Sequence, residues 1–566
     1  MKKPDLPFRV LYREFLFRMV DLELLSAHGD VSKLLGQFAG LLLFISLNLA
    51  FGGLMFGTIP GPPAIWKAEH MLIALTMLTV GIFVVLSWDS TFPDRRDVLV
   101  LAPLPLRAST IFLAKIAALA ASLGLTVASL NALSGFVWPF YFTAPDSGFL
   151  GLIRALAAYW VIMFAAGAFV LCSVLTLQGL AAQLPRRWFL RLSALLQMAA
   201  FCLFLSVFLF QPALSSPAAF AAPGNQHALA CLPTYWFLAL FQAWNGSAPA
   251  ATQAVVAALA WRALGGLAIA MAGTGTAFWL SYRRTLRMIV EEPDIVPGAH
   301  GFHWTPRFGN LLHTAVVLFS IRSLFRSRQH RMILAFYLGL GLTLIVGPLK
   351  GMLEDPHLAA MPPNLVTPLL LIASVMMMVF CLLGVRIVFA MPLALRSNWI
   401  FRVTAIRGPA DCLAATRRSL LVLAVAPVWL ASAAVCLYVL PRREAIEHLL
   451  LLGLWGVFLA ELGLQGFHKI PFTCSYLPGK SKIHLVILAA VGGLWAVLLG
   501  VEYELRSQSD PGMYAVMLAA LAIAAAAARW RAIWLAKAEE SILFFEEEEA
   551  PTVLALGILK DGVVPG

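Results

Sequence analysis

Long runs of apolar residues, separated by short polar segments, dominate the chain. About 12 of these runs approach the ~20 residues that an α-helix needs to cross a bilayer. They lie near 34–57, 70–88, 110–133, 153–178, 192–212, 252–281, 331–350, 365–385, 418–440, 447–466, 483–502 and 512–533. The pattern predicts an all-α polytopic membrane protein with about 12 transmembrane helices.

The runs fall into two sets separated by a longer polar segment, which predicts a 6+6 pseudo-repeat. We therefore expect five regions along the chain. They are an amphipathic N-terminal interfacial helix (1–33), a first six-span half (34–281), a basic cytoplasmic connector (282–330), a second six-span half (331–535) and an acidic cytoplasmic tail (536–566).

The N-terminal region is amphipathic. Residues Phe8–Leu25 combine a broad apolar face with Arg9, Arg13 and Arg18. This spacing favours a helix lying on the membrane surface, and a solvated basic tail is the alternative. The end of the connector, Leu311–His330, has the same apolar and basic character before the second set of spans.

Composition supports the membrane class. The chain is 61% hydrophobic and 12% charged, whereas soluble domains average about 45–50% apolar and about 25% charged residues. The net charge of +12 does not indicate nucleic-acid binding, because the sequence contains no soluble basic domain that would provide it. Lysine and arginine instead accumulate in the cytoplasmic loops of membrane proteins.

The positions of the basic residues predict the orientation. With the N-terminus placed inside, about 33 of the 41 lysines and arginines lie in or next to inner segments. The outer side then holds only a few basic residues, namely Lys67, Lys350, Arg442, Arg443 and Arg506. We expect an even number of spans with both termini in the cytoplasm.

Motifs for enzyme chemistry are weak. The segment Leu477–Ser481 ends like a phosphate-binding loop, but Cys474 stands where the first glycine is required. No spacing typical of a metal site or of a hydrolase stands out, so we expect no catalytic residues and no metal in this chain.

Few charged residues lie inside the predicted spans, and such residues are functional candidates. They are Lys115, Arg154, Arg262 and Glu461. Glu461 and Gln465 share one helix face and form a candidate intramembrane polar site. A structural hydrogen bond between helices is the favoured interpretation there, and a proton relay is the alternative.

Two further segments stand out between the spans. The loop at 89–109 combines adjacent charges with prolines, which is typical either of a solvated loop or of a docking surface for a soluble partner. The outer segment Leu232–Asn245 is rich in tryptophan, tyrosine and phenylalanine. We expect it to form a short helix that dips into the outer interface.

The loop pattern resembles that of ABC-2-type transporter permeases. An amphipathic helix and a pair of spans precede it, and the outer segment Leu232–Phe237 also resembles that of such exporters. The residues that carry the loop resemblance are Asp94-Arg95-Arg96-Asp97, Leu101, Leu104-Pro105-Leu106-Arg107, Ile111 and Lys115.

The resemblance implies a permease subunit of a bacterial exporter in the inner membrane, not itself an enzyme. A separate ATP-binding cassette subunit would bind ATP and Mg²⁺, and the loop would couple that subunit to the spans. The implied docking residues are Asp94, Arg95, Arg96, Asp97, Leu101, Pro105 and Arg107. A secondary ion-coupled transporter and a membrane enzyme acting on lipid-linked substrates are the alternatives.

Overall fold

A computed structural model gives the fold. It describes residues 6–20, 31–55, 62–91, 104, 106, 108–143, 147–291, 306–354, 366–391, 409–465, 471–473, 497, 499–507 and 510–538. These residues are almost entirely helical and contain no strand. The chain divides into two compact units, Met1–Gly301 and Phe302–Gly566, and the division falls within the predicted connector.

The first unit is built from long helices with several short ones. Its α-helices are α1 (Leu6–Val20), α2 (Val31–Met55), α3 (Pro62–Leu86), α4 (Trp88–Thr91), α5 (Ala108–Asn131), α6 (Ser134–Phe142), α7 (Gly148–Ala181), α8 (Arg186–Phe210), α9 (Pro217–Ala221), α10 (Gln226–Cys231), α11 (Pro233–Asn245) and α12 (Gln253–Glu291).

The second unit begins with another short helix. Its α-helices are α13 (Leu311–Arg326), α14 (Arg328–Glu354), α15 (Val366–Phe389), α16 (Pro409–Leu420), α17 (Ala426–Val439), α18 (Arg442–Gly463) and α19 (Pro511–Ala538). A π-helical turn, Leu421–Val425, joins α16 to α17, and residues 499–507 are also helical.

Eight helices in the described part of the chain are long and apolar enough to cross a membrane. They are Ala64–Leu86, Ser109–Asn131, Gly148–Ala181, Ala250–Leu280, Thr367–Phe389, Asp411–Val439, Arg442–Gly463 and Pro511–Trp534. The helical multi-pass membrane class is thus confirmed. Helices α2, α8 and α14 cover three more of the predicted spans, and 483–502 falls mostly outside the described residues.

The core of the first unit centres on α7, which packs against α3 and α12. The close approach of α7 to α5 depends on a small residue of α7, Gly167. A Cβ atom added to Gly167 would lie 2.9 Å from Val127 Cγ2. Small residues of this kind let membrane helices pack through backbone contact, because lipid supplies no hydrophobic force between them.

The outer segment differs in part from the sequence-based expectation. It forms a helix, α11, as predicted, but most of that helix is buried in the core of the first unit. The buried residues are Thr234, Tyr235, Phe237, Leu238, Ala239, Leu240, Phe241 and Gln242. The helix is apolar on nearly every side, which is typical of a buried helix.

Candidate functional site

The seven predicted docking residues lie outside the described part of the chain. They are Asp94, Arg95, Arg96, Asp97, Leu101, Pro105 and Arg107. The structure does describe both flanks of this segment, which are the end of α3 with α4 and the beginning of α5. Between them, Leu104 is 48% exposed.

Helix α1 contacts both flanks of the predicted docking segment. Its residues Leu11, Phe15 and Met19 are buried and form one stripe at a spacing of four. Ser87 Oγ, at the end of α3, donates a hydrogen bond of 2.9 Å to the Met19 carbonyl oxygen. The buried Lys115 on α5 places Nζ 5.2 Å from the centre of the Phe15 ring, a cation–π contact.

The α4 side of the segment is fixed by hydrogen bonds to α7 and α8. Trp88 is buried, and its Nε1 donates to Ser193 Oγ at 2.9 Å. The Gln178 side chain donates from Nε2 to the Trp88 carbonyl oxygen at 2.5 Å. Thr91 Oγ1 donates to Gln178 Oε1 at 2.7 Å.

These contacts form one group of residues, which we call the loop-flanking cluster. Its members are Phe15, Met19, Ser87, Trp88, Thr91, Lys115, Gln178 and Ser193. They come from α1, from the residue that follows α3, and from α4, α5, α7 and α8. The buried polar groups of this cluster therefore join several helices on both sides of the predicted docking segment.

A second polar network lies at the junction between α5 and α6. Ser46 Oγ accepts hydrogen bonds from the backbone N–H groups of Leu133 (2.9 Å) and Ser134 (3.1 Å), which begin α6. Tyr159 on α7 donates to Asn131 Oδ1 at 2.7 Å, and Asn131 donates to Thr76 Oγ1 on α3 at 3.2 Å. The network therefore joins α2, α3, α5, α6 and α7 with uncharged groups.

A buried carboxylate lies at the beginning of α3. Glu69 Oε2 accepts a hydrogen bond from Gln242 on α11, and no hydrogen-bond partner for Oε1 is found among the described residues. The neighbouring His70 ring stacks on Tyr235 with 4.3 Å between ring centres. The short outer helix is thus joined to α3 by one polar contact and one ring contact.

The predicted intramembrane site in the second unit is occupied by an ion pair. Glu461 on α18 is 2% exposed and pairs with Arg417 on α16. Gln465 follows the end of α18 and is half-buried. The pairing favours the structural interpretation of Glu461, because the ion pair joins α18 to α16.

The second unit also contains a polar chain that sequence analysis missed. His448 on α18 has Nε2 2.7 Å from Ser374 Oγ on α15 and Nδ1 2.7 Å from Glu504 Oε1. The three residues are far apart in the sequence, so no local motif could have revealed them. His448 is not among the charged residues named inside the predicted spans, and Glu504 lies just beyond the predicted span 483–502.

Charged side chains lie at the contact between α13 and α16. Arg418 Nη1 donates to the Phe308 carbonyl oxygen at 2.6 Å. Burial, and then the positive charge of Arg418, lower the pKa of His313 on α13, while Asp411 acts in the opposite direction.

The described residues contain no group of three or more histidine, cysteine or acidic side chains that could hold a metal ion.

The chain was compared with known proteins in three ways. No family model, no curated protein and no solved structure matches it.

Proposed function

We propose that this chain is the membrane permease subunit of an ATP-driven exporter in a bacterial inner membrane. A separate ATP-binding cassette subunit binds and hydrolyses Mg²⁺-ATP, and this chain provides the path through the bilayer. Both termini lie in the cytoplasm, where the basic loops also lie. The segment between α4 and α5 is the docking surface for the ATP-binding subunit.

The observation that carries this proposal is the loop-flanking cluster. Helix α1 contacts both Ser87 and Lys115, which precede and follow the docking segment. A partner pressing on that segment would therefore move α1, α3 and α5 together. A solvated loop with no partner would not require its two flanks to be joined through one helix.

The arrangement of helices also supports a layout of two six-span halves. In the first unit α1 packs on α5, α3 on α7 and α7 on α12. In the second unit α13 packs on α16, α15 on α18 and α18 on α19. Each half thus begins with an amphipathic helix that packs on the helix following the long loop, as the 6+6 proposal requires.

Charge reversal in the docking segment tests the proposal. We expect Arg95→Glu with Arg96→Glu to reduce the amount of ATP-binding subunit that co-purifies by at least about tenfold, because like charges across an interface cost several kcal/mol. The matched control is Arg442→Glu with Arg443→Glu, which reverses two adjacent exposed arginines at the beginning of α18, on the side opposite the docking segment in the predicted topology. Equal recovery of the subunit with both double variants would contradict the docking assignment.

Secondary, ion-coupled transport is the second candidate, and a specific observation favours it. Ionisable side chains inside membrane segments are typical of ion-coupled transporters. Glu69 in the first unit and His448 with Glu504 in the second are all buried. Transport that persists without ATP hydrolysis but stops when the proton gradient is dissipated would select this candidate over the first.

A further inference from the structure

The chain of Ser374, His448 and Glu504 joins α15, α18 and the helical residues 499–507. The three residues are 5%, 0% and 2% exposed, respectively. In the predicted topology α15 and α18 begin at the outer surface. Ser374 then lies about 12 Å and His448 about 9 Å along their helices, at 1.5 Å per residue.

The distances allow two arrangements of the protons. In the first, the Ser374 hydroxyl donates its only proton to the Leu371 carbonyl oxygen, 2.8 Å away. The Ser374 oxygen can therefore only accept from His448, so Nε2 carries a proton. The remaining 2.7 Å contact joins Nδ1 to a Glu504 oxygen. Two lone pairs would repel at that distance, so a second proton lies between these two atoms.

A second arrangement satisfies the same three side chains with one proton fewer. If the Ser374 hydroxyl rotates away from Leu371, it donates to His448 Nε2. The imidazole then needs only one proton, on Nδ1, which it donates to the Glu504 carboxylate. All three side chains keep their mutual hydrogen bonds in both states, so a proton can leave without exposing an unpaired buried group.

We infer that His448 and Glu504 form a proton-binding site, in which Ser374 reorients its hydroxyl when the proton is released. In this exchange the pair gains or loses one proton, and its net charge changes between zero and minus one. No other covalent bond is made or broken. This inference goes beyond the proposed function and does not depend on it.

Other ionisable groups close to the pair come from three helices. Cys436 on α17 and Tyr514 on α19 lie near enough to Glu504 to experience its charge. The Tyr514 hydroxyl itself donates to the Glu447 carbonyl oxygen at 2.9 Å. The Glu447 carboxylate on α18 is paired with the exposed Arg443. No described cation pairs with Glu504 besides His448, so the pair itself carries the exchangeable proton.

The geometry favours proton exchange over a serine hydrolase. A nucleophilic serine must give its proton to a histidine base and needs donors for the oxyanion that forms, so the second arrangement of Ser374 and His448 would have to be accompanied by such donors. Ser374 lies in the interior of α15, where the backbone N–H groups are used within the helix and cannot stabilise an oxyanion.

Nitrogen NMR of the full chain, labelled with ¹⁵N-histidine and held in lipid nanodiscs, tests the site directly. Subtraction of the His448→Gln spectrum identifies the signals of this residue among the 11 histidines. We expect the wild-type His448 signals to change between those of the two proton arrangements as the pH is varied over the range in which the protein stays folded. Glu504→Gln should abolish that shift.

The matched control is Glu502→Gln, which removes an exposed carboxylate from the same helical segment and should leave the shift unchanged. A wild-type His448 signal that stays constant over the whole pH range would overturn the inference. So would a pH-dependent shift that survives Glu504→Gln. Covalent labelling of Ser374 by a fluorophosphonate probe would also overturn it and indicate a hydrolase.

Discussion

The helices that correspond to each other in the proposed 6+6 layout are held together by different chemistry in the two units. In the first unit, α3 and α7 are joined through Thr76, Asn131 and Tyr159, which carry no charge. In the second, α15 and α18 are joined through a histidine that also contacts a glutamate. The first network contains no ionisable carboxylate or imidazole, whereas the second contains the pair that we propose as a proton-binding site. Similar packing therefore need not mean similar function.

The helices that follow the two long loops show the same contrast. Lys115 on α5 lies over the Phe15 ring of the amphipathic helix α1. Arg417 on α16 instead pairs with Glu461 of α18. The first loop is thus followed by a helix that contacts α1, and the second by a helix that pairs with α18. Coupling through the first loop is the stronger proposal because α1 contacts both flanks of that loop.

The largest predicted effect comes from breaking the ion pair of the second unit. Glu461→Leu leaves Arg417 partly buried without its partner, and removal of one member of a buried pair costs about 3–5 kcal/mol. Unfolding in mixed micelles measures the loss. The exposed pair of Arg506 and Glu502 is the control, since Glu502→Leu should cost less than about 1 kcal/mol. Equal losses would show that Glu461 contributes no more than a surface charge.

A smaller effect is expected in the uncharged network of the first unit. Tyr159→Phe removes the hydroxyl that donates to Asn131 and keeps the ring. Hydrogen bonds between membrane helices contribute about 0.6 kcal/mol on average and at most about 2 kcal/mol, so we expect a loss of about 1 kcal/mol in the same unfolding assay. A loss as large as that of Glu461→Leu would contradict the contrast between the two units.

The smallest effect on stability should accompany a change in coupling. Ser87→Ala removes the hydrogen bond to the Met19 carbonyl oxygen of α1 and should cost about 1 kcal/mol or less. If the cluster transmits movement, the ratio of transport to ATP hydrolysis should fall in the reconstituted complex while the folded protein remains abundant. Ser173→Ala, which removes a hydrogen bond within α7, is the control and should leave that ratio unchanged.

Much of the fold follows from the sequence because bilayer thickness fixes the length of an apolar run. The amphipathic pattern of Phe8–Leu25 likewise predicts α1, which the structure places at Leu6–Val20. Burial of α11 was not predicted, since Trp236 and Trp244 suggest an interface while the packing places Phe237 and Phe241 in the core. Counting the apolar residues on every side of that helix would have indicated burial.

The sites were harder to predict than the helices. Charges inside predicted spans can be found in the sequence, and the structure places one of them, Glu461, in a buried position. Its partner Arg417 could not be predicted, because contacts between helices distant in sequence depend on packing. The same limit applies to Ser374, His448 and Glu504. The docking residues from Asp94 to Arg107 remain a prediction from the sequence.

Purification of the tagged wild-type chain from its own host in mild detergent tests the central claim most directly. Mass spectrometry and an ATPase assay would follow on the same sample. We expect a stoichiometric ATP-binding cassette subunit and ATP hydrolysis that vanadate inhibits. A chain that purifies alone, even after gentle crosslinking, and shows no ATPase activity would contradict it and favour ion-coupled transport.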